Sequence, residues 1–260
     1  MNVKWYGTAT ISMTAANETI LFDPFISFND TSRYLSLEKI ADIEHIFITH
    51  GHFDHLMHVP ELLKAGRGKV YCDEIAAATL MKRGVAAERI ICIKPGDTVN
   101  LKNFEIKVLK GDHIIFDRRL ILQTLFSRRV LKWIKNMGEV VKGFIKYPKG
   151  QVLIYNIKTE GQQILHMGSL GMCFDEEYPY GIDLLTIPFQ GRSDLEDFAL
   201  HFIKRINPRA VLLQHFDDSF PPVSNEIDTT GFLSKMADLF PKVKVIKPDY
   251  LKSYSTTVEI

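Results

Sequence analysis

Two β-sheets packed face to face, with helices outside, are the architecture this chain predicts. Three observations carry that expectation. Each half reads as a run of short strands followed by strand–helix units. The 260 residues suffice for a sizeable buried core. No stretch rich in Gly, Pro or Ser separates the halves, so residues 1–260 are expected to form one domain.

The first quarter supplies β-rich pieces at Val3 to Tyr6, Ala9 to Met13 and Thr19 to Phe22, broken by Gly7 and Ala15-Ala16-Asn17. Asp23-Pro24 ends the third, because Pro cannot continue a ladder. Leu37 to Ala41 reads as a helical turn or two. Ile43 to Thr49 reads as a buried strand, and His50 to His58 as a loop. Val59 to Ala65 is predicted helical and stopped by Gly66 to Gly68. After a strand at Lys69 to Cys72, Asp73 is the N-cap of a helix from Glu74 to Arg83, closed by Gly84. Strands follow at Arg89 to Ile93, Asp97 to Leu101 and Glu105 to Leu109.

The second half has a hairpin, Val152 to Lys158 and Gln162 to Met167, then strands at Leu184 to Pro188, Ala210 to Leu213 and Val243 to Ile246. Asp194 to Arg205, capped by Ser193, and Thr229 to Leu239 are its helices.

Composition narrows the function classes. A net charge of +1 gives no overall attraction for nucleic acid. No apolar run reaches about 18 residues, so no membrane span is predicted. Met1 to Tyr6 lacks a basic stretch leading into an apolar one, so no secretory signal is expected. Cys72, Cys92 and Cys173 are an odd, sparse set without CxxC spacing, which fits a reducing, cytoplasmic setting.

Residues 114–149 differ from the rest. Nine bases, among them Arg118, Arg119, Arg128 and Arg129, face only Asp117 and Glu139, a local charge of about +7. Apolar residues such as Met137, Val140, Phe144 and Ile145 interleave at helical spacing. The segment is expected to be a lid over an anionic, partly apolar substrate, a contact for an anionic membrane surface, or a helical hairpin on the core.

His50-Gly51-His52-Phe53-Asp54-His55 is the stretch that points to chemistry. Five of the nine histidines lie between His45 and His58. A buried strand delivers the loop to a sheet edge, a rigid place for a site. In extended chain His50 and His52 point the same way, and neutral imidazoles suit zinc, iron or manganese. A catalytic zinc usually takes three protein ligands and a water. Further candidates are His113, His166, His201 and His215; His113 and His215 sit at strand exits, as His50 does. His201 lies inside a helix and reads as structural, as do His45 and His58.

Thr49-His50-Gly51-His52-Phe53-Asp54-His55 resembles the signature of the metallo-β-lactamase superfamily. Ile20 to Phe25, Pro95-Gly96-Asp97, the His113 strand exit, Ile164 to Gly171 and Val211 to His215 follow in the matching order over nearly the whole chain. The branch it looks most like holds ascorbate-6-phosphate lactonase-like proteins and N-acyl phosphatidylethanolamine phospholipase D. The resemblance implies a four-layer αββα sandwich and a metal-dependent hydrolase of esters, lactones or phosphodiesters. It implies that His50, His52 and His113 hold a first metal and Asp54, His55 and His215 a second. Ser169 stands where the family has a bridging aspartate.

That substitution leaves one carboxylate among six ligands, so one metal is expected, zinc with manganese or iron as alternatives, and the second position partial or absent. Asp112, Asp175 and Asp217 are candidates to replace the missing charge. A catalytically weakened metal- or ligand-binding member is the alternative function. Asp54 is the expected catalytic carboxylate, orienting or deprotonating water. Asp23 is expected to support a ligand histidine, and Gln190 and Arg192 to reach substrate. The expected partner is a small-molecule or lipid-like anion, with peripheral membrane contact and no nucleic acid.

Overall fold

Alternation and β-branching along the chain sort its strands into two sheets. The computed structural model of the protein describes residues 1–29, 36–115, 117, 130 and 132–256. The first sheet contains β1 (Asn2–Gly7), β2 (Thr10–Ala15), β3 (Glu18–Phe22), β4 (His45–Phe47), β5 (Lys69–Cys72) and β6 (Ile90–Cys92). The second contains β7 (Thr98–Asn100), β8 (Glu105–Gly111), β9 (Val152–Thr159), β10 (Gln162–Met167), β11 (Leu184–Pro188), β12 (Ala210–Gln214) and β13 (Lys244–Ile246). β14 (Ser253–Ser255) returns to the first sheet, giving seven strands in each, in the orders β14-β1-β2-β3-β4-β5-β6 and β13-β12-β11-β10-β9-β8-β7.

Both sheets start antiparallel and turn parallel, at β3–β4 and at β10–β11. In β8, Ile106 and Val108 are buried while Glu105 and Lys107 are exposed, as a strand with one wet face requires. β11 and β12 are buried at every position, as parallel strands covered on both faces are.

The helices are α1 (Phe53–Leu56), α2 (Val59–Ala65), α3 (Glu74–Lys82), α4 (Ile134–Lys146), α5 (Leu195–Ile206) and α6 (Thr230–Leu239). Phe22, Phe47, Tyr155, Ile157 and Leu165 belong to one apolar cluster that also takes in Phe202 of α5 and Phe232 of α6. A second cluster joins Leu21, Ile46 and Val70 to Leu62 of α2, Leu80 of α3 and Val140 of α4. Asp73 caps α3, accepting from the amides of Ala76 and Ile75 at 3.0 and 3.3 Å.

Four expectations need correction. The strand predicted over Ile43 to Thr49 is only His45–Phe47, because Thr49 leaves the ladder to donate to Asp23. The predicted loop from His50 to His58 contains α1, whose start is set by His55 and Leu56 donating to the carbonyl of His52. Ser193 does not cap α5. Asp194 occupies that position without a side-chain cap bond, and the Ser193 hydroxyl donates to Asp117 instead. β14 was not predicted; Ser253-Tyr254-Ser255 alternates, but three residues are too short a run for a period to be read from sequence. Of the basic segment, α4 is described, whereas Arg118, Arg119, Arg128 and Arg129 lie outside the described residues.

Candidate metal centre

Where the two sheets meet, backbone bonds fix the histidine loop from both sides. Leu153 at the start of β9 donates to Thr49 O at 2.7 Å, and Gly51 donates to Lys149 O at 2.7 Å. Tyr155 Oη donates to Ile48 O at 2.6 Å. Glycine is required between His50 and His52, because a Cβ on Gly51 would stand 2.3 Å from Pro148 O.

The loop brings six residues into two groups of three. The ligand-type atoms of His50, His52 and His113 lie within 4.8 Å of one another, as do those of Asp54, His55 and His215. His50 Nε2 faces His52 Nδ1 at 3.2 Å. The His113 ring centre is 5.0 Å from that of His50 and 4.7 Å from that of His52. Asp54 Oδ2 lies 3.1 Å from His215 Nε2 and 3.4 Å from His55 Nε2. The two groups touch, with the rings of His50 and His55 4.0 Å apart. His215 holds a left-handed φ of 57°, which a non-glycine residue rarely adopts. Its amide donates to Thr8 O at 2.7 Å.

Burial sets the charge states. It drives His52 down to about 4 and lowers His113, and with its histidine neighbours it holds His50 well below the usual range. These three imidazoles are neutral at pH 7, the state a metal requires. Burial opposes charge on His55 too, but Asp23 and Asp54 overcome it and push the ring up to about 10. Burial alone would raise Asp54; His55 and the bond from His215 hold its carboxyl well below the carboxylate range. Three converging neutral imidazoles beside a buried carboxylate fit a divalent ion of the zinc type, whereas an ion at the second group would have to displace the proton from His55.

Asp23 lies behind this set, fully buried. It accepts from Thr49 N at 2.8 Å and Thr49 Oγ1 at 2.6 Å, and its Oδ2 is 2.9 Å from His55 Nδ1. A carboxylate on the outer nitrogen of a ligand histidine fixes its tautomer and orientation. Thr49, expected only as a strand end and the first residue of the motif, also lies 3.1 Å from His50 Nδ1 through its hydroxyl. A residue whose side chain turns back under its own loop leaves no periodic trace.

Ser169 is buried and borders the cavity above the histidines. Its hydroxyl accepts from Ile114 N at 3.0 Å, pinning the residue after His113. None of the aspartates considered as replacements borders that cavity. Asp112 accepts from His113 N at 2.7 Å, and Asp175 pairs with Lys110 at 2.8 Å. Asp217 accepts from Thr8 N at 3.0 Å and Tyr250 Oη at 3.0 Å.

Gln190 borders the cavity. Arg192 does not; it pairs with Asp194 at 2.6 Å and lies 4.4 Å over the Phe198 ring. Among the described residues no Lys or Arg lines the cavity, which leaves the expected anionic preference without a charged partner there.

His166 stands apart, fully buried between the sheets 4.1 Å from the Phe22 ring. Its Nδ1 meets Thr186 Oγ1 at 2.7 Å and its Nε2 has no partner among the described residues. Burial lowers it to about 4. A lowered folded value means the unfolded chain takes up the proton first, so stability present above about 6.5 is lost as pH falls toward 4. His166→Phe is expected to flatten the fall in stability between pH 6.5 and 4 by about one proton, about 1.4 kcal/mol per pH unit. Denaturant melts across that range check it, and an unchanged slope refutes it.

Residues 2–215 match the family model described as a β-lactamase superfamily domain. The UPF0173 metal-dependent hydrolase of Methanocaldococcus jannaschii is 27% identical, over 95% of this chain and 96% of its own. That of Staphylococcus aureus strain JH9 is 24% identical, over 95% and 97%. Igni18, a metallo hydrolase from Ignicoccus hospitalis, superposes with a TM-score of 0.66 at 17% identity, over 97% of both chains, a likeness of fold. The chain belongs to the metallo-β-lactamase superfamily, among the metal-dependent hydrolases of that fold.

Proposed function

We propose that the protein hydrolyses an ester, lactone or phosphodiester with a divalent ion, zinc by preference, held by His50, His52 and His113. Asp54, His55 and His215 then face a second, weaker position. The observation that carries this reading is the convergence of three desolvated, neutral imidazoles beside a buried carboxylate at the floor of an open cavity. When bound, such an ion would polarise a carbonyl or phosphoryl oxygen and bring the pKa of bound water down to about 7. Asp54, held ionised, accepts a proton from water or orients it. Asp23 keeps the His55 ring fixed. Ser169 holds the His113 turn through Ile114 N. The three ester classes follow from the likeness to the lactonase-like and phospholipase D-like branch.

A weakened binding protein is the second reading, favoured by Ser169 where the family carries a charge. Ser169→Asp separates the two. Zinc-loaded wild-type protein is expected to turn over p-nitrophenyl esters or bis(p-nitrophenyl) phosphate. Under the hydrolase reading the variant takes up a second ion and loses part of that turnover, because an added carboxylate changes a working site. A wild type without turnover, whose variant gains both a second ion and activity, overturns the hydrolase reading in favour of the weakened protein.

A further inference from the structure

We infer that the cavity above the histidines is an acyl-binding pocket, and that the substrate is an ester or lactone carrying an apolar acyl chain. This rests on the hydrolytic reading of the same site and specifies what that site accepts.

The cavity has a volume of about 190 Å³. Its floor is the two groups of metal-ligand residues, and its walls are apolar. Met137 and Phe144 come from α4, Phe220 and Val223 from the segment after β12, with Leu170 and Ile227 completing the enclosure. Each group of three ligand residues has its own aromatic wall. Phe144 stands edge-on to His52 at 5.5 Å, and Phe220 edge-on to His215 at 5.9 Å. Both rings also pack on Phe53, at 5.2 and 5.4 Å, so one buried side chain of the histidine loop sets their spacing. Gly143 lets α4 come this close, because a Cβ there would stand 2.8 Å from the Phe53 ring.

Among the described residues the polar groups of the wall, Ser169, Gln190 and Asn225, are uncharged. Gln190 Nε2 reaches Asn225 O at 3.5 Å, and the buried Gln190 Oε1 has no partner among the described residues. A phosphate or carboxylate seated against this wall, away from the ion the floor would hold, meets no cation among the described residues and carries a large desolvation cost. A methylene chain loses nothing there and gains about 0.8 kcal/mol for each CH₂ buried. The unpaired Gln190 oxygen offers one acceptor for a hydroxyl or N–H on the substrate.

The test is a chain-length series of p-nitrophenyl acetate, butyrate and hexanoate, with bis(p-nitrophenyl) phosphate, on the full zinc-loaded chain. kcat/KM is expected to rise on the order of 100-fold from acetate to hexanoate. Met137→Lys is expected to cut the hexanoate-to-acetate ratio at least about tenfold. A flat or falling series, or a preference for the charged phosphodiester, overturns the inference and leaves the hydrolase reading in place. If no substrate turns over, the hydrolase reading fails and binding decides the pocket alone. 2-Octanone, a neutral carbonyl without a scissile bond, is then titrated against the protein by NMR. It is expected to shift the Met137 methyl resonance, identified by its loss in Met137→Lys, at a concentration where 2-butanone does not. Equal effects, or none, overturn the pocket.

Discussion

Replacing His50 and His52 together by alanine is expected to reduce the metal held by the first group to under about a tenth of the wild-type content and turnover by at least about 10³-fold. The two rings supply two of the three converging nitrogens of the first group, and His50 Nε2 faces His52 Nδ1 directly. Alanine leaves His113 alone in that group, and a single imidazole does not hold a catalytic zinc against water. The fold should survive. His52 is half-buried, and the side-chain bonds of the two rings run to each other and to the Thr49 hydroxyl, not to the backbone of a strand. Elemental mass spectrometry gives the metal content and circular dichroism the fold. A folded double variant with full metal stoichiometry refutes the assignment.

Asp23→Ala should have the largest effect on stability. Its carboxylate is fully buried and serves Thr49 N, Thr49 Oγ1 and His55 Nδ1. Removing it leaves these groups without an acceptor where water does not reach. Losing one partner of a buried ion pair costs about 3–5 kcal/mol, and an unsatisfied buried donor about 1–3 kcal/mol. A loss of about 3–5 kcal/mol corresponds to a Tm lower by roughly 6–20 °C at this chain size. Metal affinity is expected to fall by about 10–100-fold, because His55 loses the group that fixes its tautomer. Asp23→Asn keeps one oxygen and the side-chain shape, so it should keep more of the stability than of the affinity. Thermal melts of the metal-free protein and zinc titrations read the two effects separately. A Tm within about 2 °C of wild type for Asp23→Ala would contradict the role given to this carboxylate.

Part of this was legible because its signal is local. The spacing from His50 to His55 sits in six consecutive residues and follows a β-branched run, so the loop and its residues could be read directly. His113 and His215 were legible as strand exits: β12 runs parallel with β10 and β11, and β8, two antiparallel steps from β10 through β9, points the same way and ends at the same edge. The sheets were legible for the same reason: β11 and β12 are short continuous apolar runs, and β8 alternates. What was missed depends on distant contacts. Thr49 turns back on Asp23, 26 residues away in sequence. Phe220 faces His215 only because the chain after β12 folds over the cavity. The Ser193 cap failed through competition, since Asp117 takes its hydroxyl. The basic character of residues 114–149 suggested an anionic ligand, yet the described residues of the segment that line the cavity are Ile114, Met137 and Phe144. Charge counted along a segment does not say which of its faces meets the site.

The metal content of wild-type protein purified without chelator, with anomalous scattering at the metal's absorption edge, tests the central claim most directly. The account predicts about one ion per chain, its anomalous peak among His50, His52 and His113, with weaker and partial occupancy beside Asp54, His55 and His215. A chain that carries no ion, or a peak away from these six residues, would contradict it.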